Sequence, residues 1–174
     1  AASHPQLRAV RNALDTAMDA AELLGDGFQL LLIGHGPLRE ALERRASTLP
    51  AGSVRLEGLM SPDDAGAYLR AADALLVALR ASLTDVVSSK LFDYCAMGRP
   101  VIVAAAGETR RLAERATLTA PPESPADLAR AVRTLRDDPE LSRQLAEQGR
   151  ELARAHLREE GAERSRPRTH RSQR

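Results

Sequence analysis

Hydrophobic positions along this chain alternate between helical stripes and short apolar runs. From about residue 5 to 24, apolar side chains recur at helical spacing and predict a first helix. Its predicted inward face comprises Leu14, Ala17, Met18, Ala21 and Leu24. Gly25-Asp26-Gly27 predicts its end, and the run at 28–33 is typical of a strand buried on both faces.

The same alternation continues to about residue 152. Further helices are predicted at 38–48, 61–71, 108–115, 124–136 and from 138 onward, and further strands at 54–56, 74–79, 101–104 and 117–119. Strands that alternate with helices are typical of the α/β class, with a parallel sheet covered by helices on both faces.

Length and charge restrict the domain organisation and the partners. The 174 residues are enough for one domain with a core, which we place at residues 1–157. Residues 158–174 are arginine-rich, lose the apolar pattern and are predicted to be a disordered tail. The alternative for this tail is peripheral contact with an anionic lipid surface. A net charge of +1 gives no electrostatic reason to expect nucleic-acid binding.

Several function classes are disfavoured by what the chain contains. Its one cysteine, Cys95, excludes a disulfide framework and suits a reducing compartment, so we expect a cytoplasmic protein. The four histidines show no metal-ligand spacing, and the longest apolar run is too short to span a membrane. The chain begins Ala-Ala-Ser-His-Pro, without an initiator methionine or a signal peptide, which we interpret as the edge of a longer protein.

The stretch at 84–103 contains the most specific chemistry. Ser88 or Ser89 can cap a helix whose first amides bind an anion, and Lys90, the only lysine, lies in that first turn. Asp93 follows Ser89 by four residues and is expected to face the same opening, while Asp85 comes from the preceding loop. A phosphate beside Lys90, with hydroxyl groups for the two carboxylates, suits this pattern.

The stretch Ser89-Lys90-Leu91-Phe92-Asp93-Tyr94 followed by Gly98-Arg99-Pro100-Val101 resembles the donor-binding signature of retaining family 4 glycosyltransferases, which use nucleotide-sugars. The resemblance extends over about residues 13–152. It implies that Asp85 lies by the transferred sugar and Asp93 binds the ribose, each one methylene shorter than the family's glutamate. It also implies that Val87, Ser88, Ser89 and Lys90 approach the diphosphate, with Asp85 and Lys90 as the catalytic pair.

Three further loops match the family by position. Gly34-His35-Gly36 follows a strand and opens a helix, so it is implied to lie beside the donor pocket, although many such turns need glycine only for a bend. Leu59 and Met60 are implied to contact the nucleobase, although side chains of this kind are more often core. Glu108 either bonds sugar hydroxyls or is a helix N-terminal acid.

The resemblance implies a fold for this chain, and it also implies a second domain to which nothing in this chain corresponds. It corresponds to the Rossmann-like, doubly wound C-terminal half of a GT-B fold, without the first, central strand and without the N-terminal domain that binds the acceptor. Loss of that strand forces its neighbours either to close together or to leave an unpaired edge. We expect a nucleotide-sugar donor, no metal and no further cofactor. The alternatives are a non-catalytic nucleotide-sugar-binding module or a sugar-nucleotide epimerase.

Overall fold

Helices form where apolar side chains recur at helical spacing, and most strands form at short continuous apolar runs such as Leu30–Ile33 and Val101–Ala104. The computed structural model describes residues 5–164, and the side chains of 13–159, 161 and 162. The elements are α1 Pro5–Leu24, β1 Leu30–Ile33, α2 Arg39–Ala46, β2 Val54–Glu57, α3 Pro62–Ala71, β3 Leu75–Ala78, α4 Ser89–Ala96, β4 Val101–Ala104, α5 Gly107–Ala113, β5 Leu118–Ala120, α6 Pro125–Asp137 and α7 Pro139–Arg164. All paired strands are parallel, so the predicted α/β class is confirmed.

Alternate residues of the central strand β4 face opposite layers of helices. Val101 and Val103 pack with Leu91 and Cys95 of α4 on one face. Ile102 packs on the other face, together with buried side chains of α1 and α6 such as Ala17. All four residues of β4 are buried, as a strand covered on both faces requires. This arrangement is the doubly wound pattern predicted from the sequence.

The strands form two separate sheets. β1 pairs with β2, and β3, β4 and β5 form a second sheet in that order. The gap lies between β1 and β3. These are the two strands that would flank the missing central strand, and they leave their facing edges unpaired instead of pairing with each other. The prediction that residues 28–33 form a fully buried strand is therefore wrong in part. Every residue of β1 is half-exposed, because one edge of this aliphatic strand has no neighbour among the described strands.

The last helix extends further than predicted. α7 continues to Arg164, so the prediction that disorder begins at residue 158 is wrong for residues 158–164. Arg, Glu and Ala in this segment are strong helix formers, which sustain a helix without an apolar stripe. Residues 165–174, the remainder of the predicted tail, lie outside the described part of the chain.

The single cysteine lies where α4 packs against α7. Cys95 is fully buried, and burial raises the pKa of its thiol to about 11. A thiol with that pKa is almost entirely protonated at neutral pH, which makes it a poor nucleophile. The interpretation of Cys95 as a structural residue is therefore consistent with its surroundings. Gly98, with φ +70°, then ends α4, as predicted.

Candidate functional site

The loop at 84–88 is held in place by the start of α5. The amide of Glu108 donates to the carbonyl of Thr84 at 2.8 Å. The hydroxyl of Thr109, which is fully buried, accepts from the amide of Ser88 at 3.1 Å and donates to the carbonyl of Val86 at 2.5 Å. One side chain therefore fixes the two ends of the segment Val86–Val87–Ser88, which leads into α4.

Sequence reasoning missed the two hydrogen bonds of the Thr109 hydroxyl, because their partners are more than twenty residues away. A Thr109→Val substitution keeps the shape and removes both hydrogen bonds. We expect it to lower the free energy of unfolding by roughly 1–3 kcal/mol, since two backbone groups lose their partner. Urea denaturation measures the change. Thr109→Ser is the control, because it keeps the hydroxyl, and it should retain more of the stability. If the valine variant is as stable as the parent, the hydroxyl of Thr109 does not stabilise the loop at 84–88.

The start of α4 differs from the starts of α3 and α6. Ser61 accepts from the amide of Asp64 at 3.1 Å and Ser124 from that of Asp127 at 3.4 Å, so each of these serines caps its helix. Ser88 occupies the same position at α4, but no side chain caps this end, so the predicted serine cap is absent. α3 and α6 carry acids in their first turns, whereas that of α4 carries Lys90 and no acid.

The first turn of α4 opens into a cavity of about 2010 Å³. Val87, Ser88, Ser89 and Lys90 contribute to its lining, as does Arg80 at the end of β3. The carboxyl end of β3 and the uncapped helix start therefore meet at one opening. Uncapped amides and a cation at this position favour an anionic group.

The two carboxylates are both on the surface but do not face one cavity. Asp85 is exposed and accepts a hydrogen bond from the hydroxyl of Thr84 at 3.2 Å. Asp93 is exposed on α4 and lines a separate small pocket with Ser89, Phe92 and His156. The expectation that Asp93 faces the same opening as Lys90 is therefore wrong. The helix twist turns its side chain toward α7, while Ser89 lines both pockets.

The loop after β1 is fixed by an arginine that sequence reasoning missed. The guanidinium of Arg39 donates to the carbonyls of Glu57 at 2.7 Å, Leu56 at 3.2 Å and Gly34 at 3.4 Å. It thus joins the carboxyl ends of β1 and β2. Gly34 has φ +142°, a conformation that favours glycine, whereas His35 is exposed and Gly36 half-buried.

The loop after β2 presents an apolar side chain to solvent. Leu59 is 82% exposed, so the alternative that it belongs to the core does not apply. Met60, next to it, is half-buried. An exposed leucine at the carboxyl end of a parallel strand is available to contact a flat apolar group.

Glu108 lies in the third of the loops that match the family by position. Its carboxylate accepts from the guanidinium of Arg111 at 2.6 Å. This hydrogen bond lowers the pKa of the Glu108 carboxyl. The helix N-terminal alternative therefore matches its contacts.

Two features are absent from the described part of the chain, residues 5–164. No helix in this range is long and apolar enough to cross a membrane. Among the side chains of residues 13–159, 161 and 162, no group of three or more histidine, cysteine, aspartate or glutamate residues is arranged to hold a metal ion.

The family model described as "Glycosyl transferases group 1" matches residues 5–138. No curated protein matches the chain. Among solved structures, Anabaena Alr3699/HepE in complex with UDP superposes with a TM-score of 0.74 at 17% identity, over 88% of this chain and 44% of that one. The C-terminal domain of a group 1 family glycosyl transferase, LpcC from Francisella tularensis, superposes with a TM-score of 0.71 at 16% identity, over 84% of this chain and 80% of that one. WaaG, a glycosyltransferase involved in lipopolysaccharide biosynthesis, superposes with a TM-score of 0.67 at 22% identity, over 88% of this chain and 43% of that one. The chain thus spans less than half of HepE and WaaG.

Proposed function

We propose, from the premise that the chain belongs to the group 1 glycosyltransferase family, that it is the donor-binding half of a retaining, family 4-like enzyme. In this proposal the chain binds a nucleotide-sugar, and an N-terminal domain outside residues 1–174 places the acceptor. HepE was solved with UDP and with UDP-glucose. We therefore take UDP and UDP-glucose as the first ligands to test.

The observation that carries the proposal is the uncapped start of α4. Its amides have no side-chain cap, its first turn has no acid, and Lys90 adds a positive charge. A diphosphate supplies the missing negative charge and the missing acceptor oxygens at once. The rigid connection through Thr109 keeps the amides of this segment in place before the ligand arrives, so little ordering is needed on binding.

The remaining residues fit the other parts of a nucleotide-sugar. Ser89 lines both the cavity and the smaller pocket that Asp93 lines, so in this proposal the ribose extends past Ser89 and its hydroxyls donate to the Asp93 carboxylate. Asp85, in the preceding loop, accepts hydrogen bonds from the sugar. Leu59 and Met60 offer an apolar surface to the base, and the Gly34-His35-Gly36 loop forms the adjoining wall.

The chemistry follows from charge that develops on the leaving diphosphate. As the bond between the anomeric carbon and the phosphate oxygen breaks, negative charge grows on that oxygen. In this proposal Lys90 and the amide of Ser89 stabilise it, which lowers the barrier, whereas the amide of Ser88 already donates to the hydroxyl of Thr109. Retention results when the acceptor hydroxyl attacks on the face that the leaving group departs from. Without the acceptor domain, alignment is lost and we propose at most slow hydrolysis of the donor.

Asp93→Ala and Asp85→Ala test the division of roles. We expect Asp93→Ala to weaken UDP binding by roughly 1–3 kcal/mol, because ribose hydroxyls lose a charged acceptor. Asp85→Ala should leave UDP affinity nearly intact and reduce the preference for UDP-glucose over UDP. Isothermal titration calorimetry measures all of these affinities.

Asp26→Ala is the matched control for the two variants. Asp26 is an exposed acid in the turn before β1, at the opposite end of the strands, and its loss should change neither affinity. Unchanged UDP affinity in Asp93→Ala, together with a lower melting temperature, would make Asp93 a structural residue. An equal loss for both ligands in Asp85→Ala would contradict its assignment to the sugar.

A further inference from the structure

The loop between β5 and α6 contains one residue in an unfavourable backbone conformation. Glu123 has φ +57°, and among the described residues it is the only one other than glycine with a positive φ. This left-handed conformation costs free energy in a residue that carries a Cβ atom. Strain of this kind persists where surrounding contacts enforce it, and it clusters at functional sites. The contacts that the Glu123 side chain makes therefore bear on function.

The side chain of Glu123 reaches across the carboxyl end of the sheet. β5 precedes Glu123, and β4 lies between β5 and β3. The Glu123 carboxylate nevertheless contacts the loop that follows β3, where it accepts a hydrogen bond from the amide of Ala81 at 3.4 Å. The same carboxylate oxygen, Oε1, lies 3.9 Å from Nε of Arg80. One strained residue thus connects the loops that follow two strands of the sheet.

Arg80 joins the Glu123 carboxylate to the candidate site. Its Nε atom is buried and has no hydrogen-bond partner among the described residues, because 3.9 Å is too long for a hydrogen bond. Arg80 also lines the cavity of about 2010 Å³ together with Lys90 and the rest of the first turn of α4, whereas Glu123 is not among its lining residues. Arg80 therefore borders the cavity, and Glu123 contacts Arg80 from outside it.

We propose that Glu123 is a positioning residue of the donor-binding site, whose carboxylate holds the Arg80 guanidinium where it binds the diphosphate beside Lys90. The inference deepens the proposed function and rests on it for the diphosphate ligand. A long side chain such as that of arginine loses rotamer freedom when it binds a ligand, so a partner that fixes it beforehand improves affinity. An approach of the two groups by about 1 Å would complete a charge-assisted hydrogen bond at Nε and leave the other guanidinium nitrogens for phosphate oxygens.

The sign of the change in affinity distinguishes positioning from simple electrostatics. Both the diphosphate and the Glu123 carboxylate are negative, so loss of a carboxylate that does nothing else would strengthen binding by removing a repulsion. Loss of a positioning residue would weaken binding instead. An ion pair that serves only the fold would give a third result, a small loss of stability with unchanged affinity.

The experiment measures UDP and uridine affinities by calorimetry in Glu123→Gly, Glu123→Gln and Glu123→Asp. We expect the glycine and glutamine variants to bind UDP about 3- to 10-fold more weakly and to bind uridine as the parent does. Glycine adopts a positive φ without strain, which offsets the lost hydrogen bond, so the melting temperature of Glu123→Gly should stay within about 2 °C of the parent. Glu123→Asp keeps the charge on a shorter side chain and should recover part of the affinity.

Arg80→Ala tests whether Glu123 acts through Arg80. We expect this variant to lower the UDP affinity about 10-fold, because a charged hydrogen-bond donor is lost. Adding Glu123→Gly to it should cause no further loss, because a positioning residue has no effect without the side chain that it positions. Glu114→Gln is the matched control. It breaks the ion pair with Arg110, in which Nε and Oε1 lie 3.1 Å apart and neither residue lines the cavity, so it should change neither affinity.

Unchanged or higher UDP affinity in both Glu123→Gly and Glu123→Gln would overturn the inference and leave the proposed function intact. A further loss when Glu123→Gly is added to Arg80→Ala would also overturn it, and so would an equal loss of uridine and UDP affinity, which indicates a structural effect. If the parent binds neither UDP nor UDP-glucose, the proposed function is contradicted and the inference is overturned with it.

Discussion

Replacing Gly107 by alanine is expected to lower the free energy of unfolding by roughly 2–4 kcal/mol, near the upper end for a single methyl group. Gly107 has φ +60°, which an L side chain adopts only at a cost of about 1–2 kcal/mol. A Cβ atom there would also lie 1.9 Å from the carbonyl oxygen of Thr84. This contact involves backbone, so a side-chain rotation cannot relieve it, and the loop at 84–88 must move.

Native-state hydrogen exchange at Val103 in β4 measures this change. The control is Gly161→Ala, because a Cβ at Gly161 in α7 meets nothing within 4 Å. Alanine has a higher helix propensity than glycine, so the control substitution should be neutral or should stabilise the protein by up to about 1 kcal/mol. Parent-like exchange in Gly107→Ala would contradict the close packing of α5 on the loop.

Replacing Lys90 by alanine is expected to lower the affinity for UDP about 10- to 100-fold and to leave uridine binding nearly unchanged. The factor corresponds to roughly 1.5–3 kcal/mol for a hydrogen bond to a charged group. The loss should shrink as salt is raised, because the interaction is between charges at an exposed site. Lys90→Arg should restore only part of the affinity, since a planar fork does not reproduce an ammonium group.

Calorimetry with UDP, UMP and uridine provides the comparison. Arg115→Ala removes another exposed cation, beyond the end of α5, and should change none of the three affinities. If Lys90→Ala discriminates UDP from UMP as well as the parent does, Lys90 does not contact the terminal phosphate.

Features coded by neighbouring residues were predictable from the sequence. The bounds of α1 and β4 agree with the predicted ones, because an apolar stripe and a buried run mark them locally. The starts of α3 and α6 follow from Ser-Pro followed by acids. The end of α7 was not predictable from hydrophobicity, because helix-forming charged residues sustain it.

Features that depend on distant contacts were not predictable. Thr109 and Arg39 look ordinary in the sequence, and only the fold brings them to Val86 and Glu57. The direction of Asp93 also depends on how α4 is rotated against α7. The resemblance correctly indicated a group 1 glycosyltransferase and its fold, whereas the family 4 branch and the roles of the individual site residues stay predictions.

From the division into two sheets we expect two cooperative units of unequal stability. The weaker contains β1, β2 and α2, and α2 has no buried residue. α1 joins it to the rest, packing on β1 on one side and on α6 on the other. Regions with few buried contacts open at lower free energy than a core strand such as β4. We therefore expect unfolding to occur in two transitions, so that a single melting temperature describes only the second.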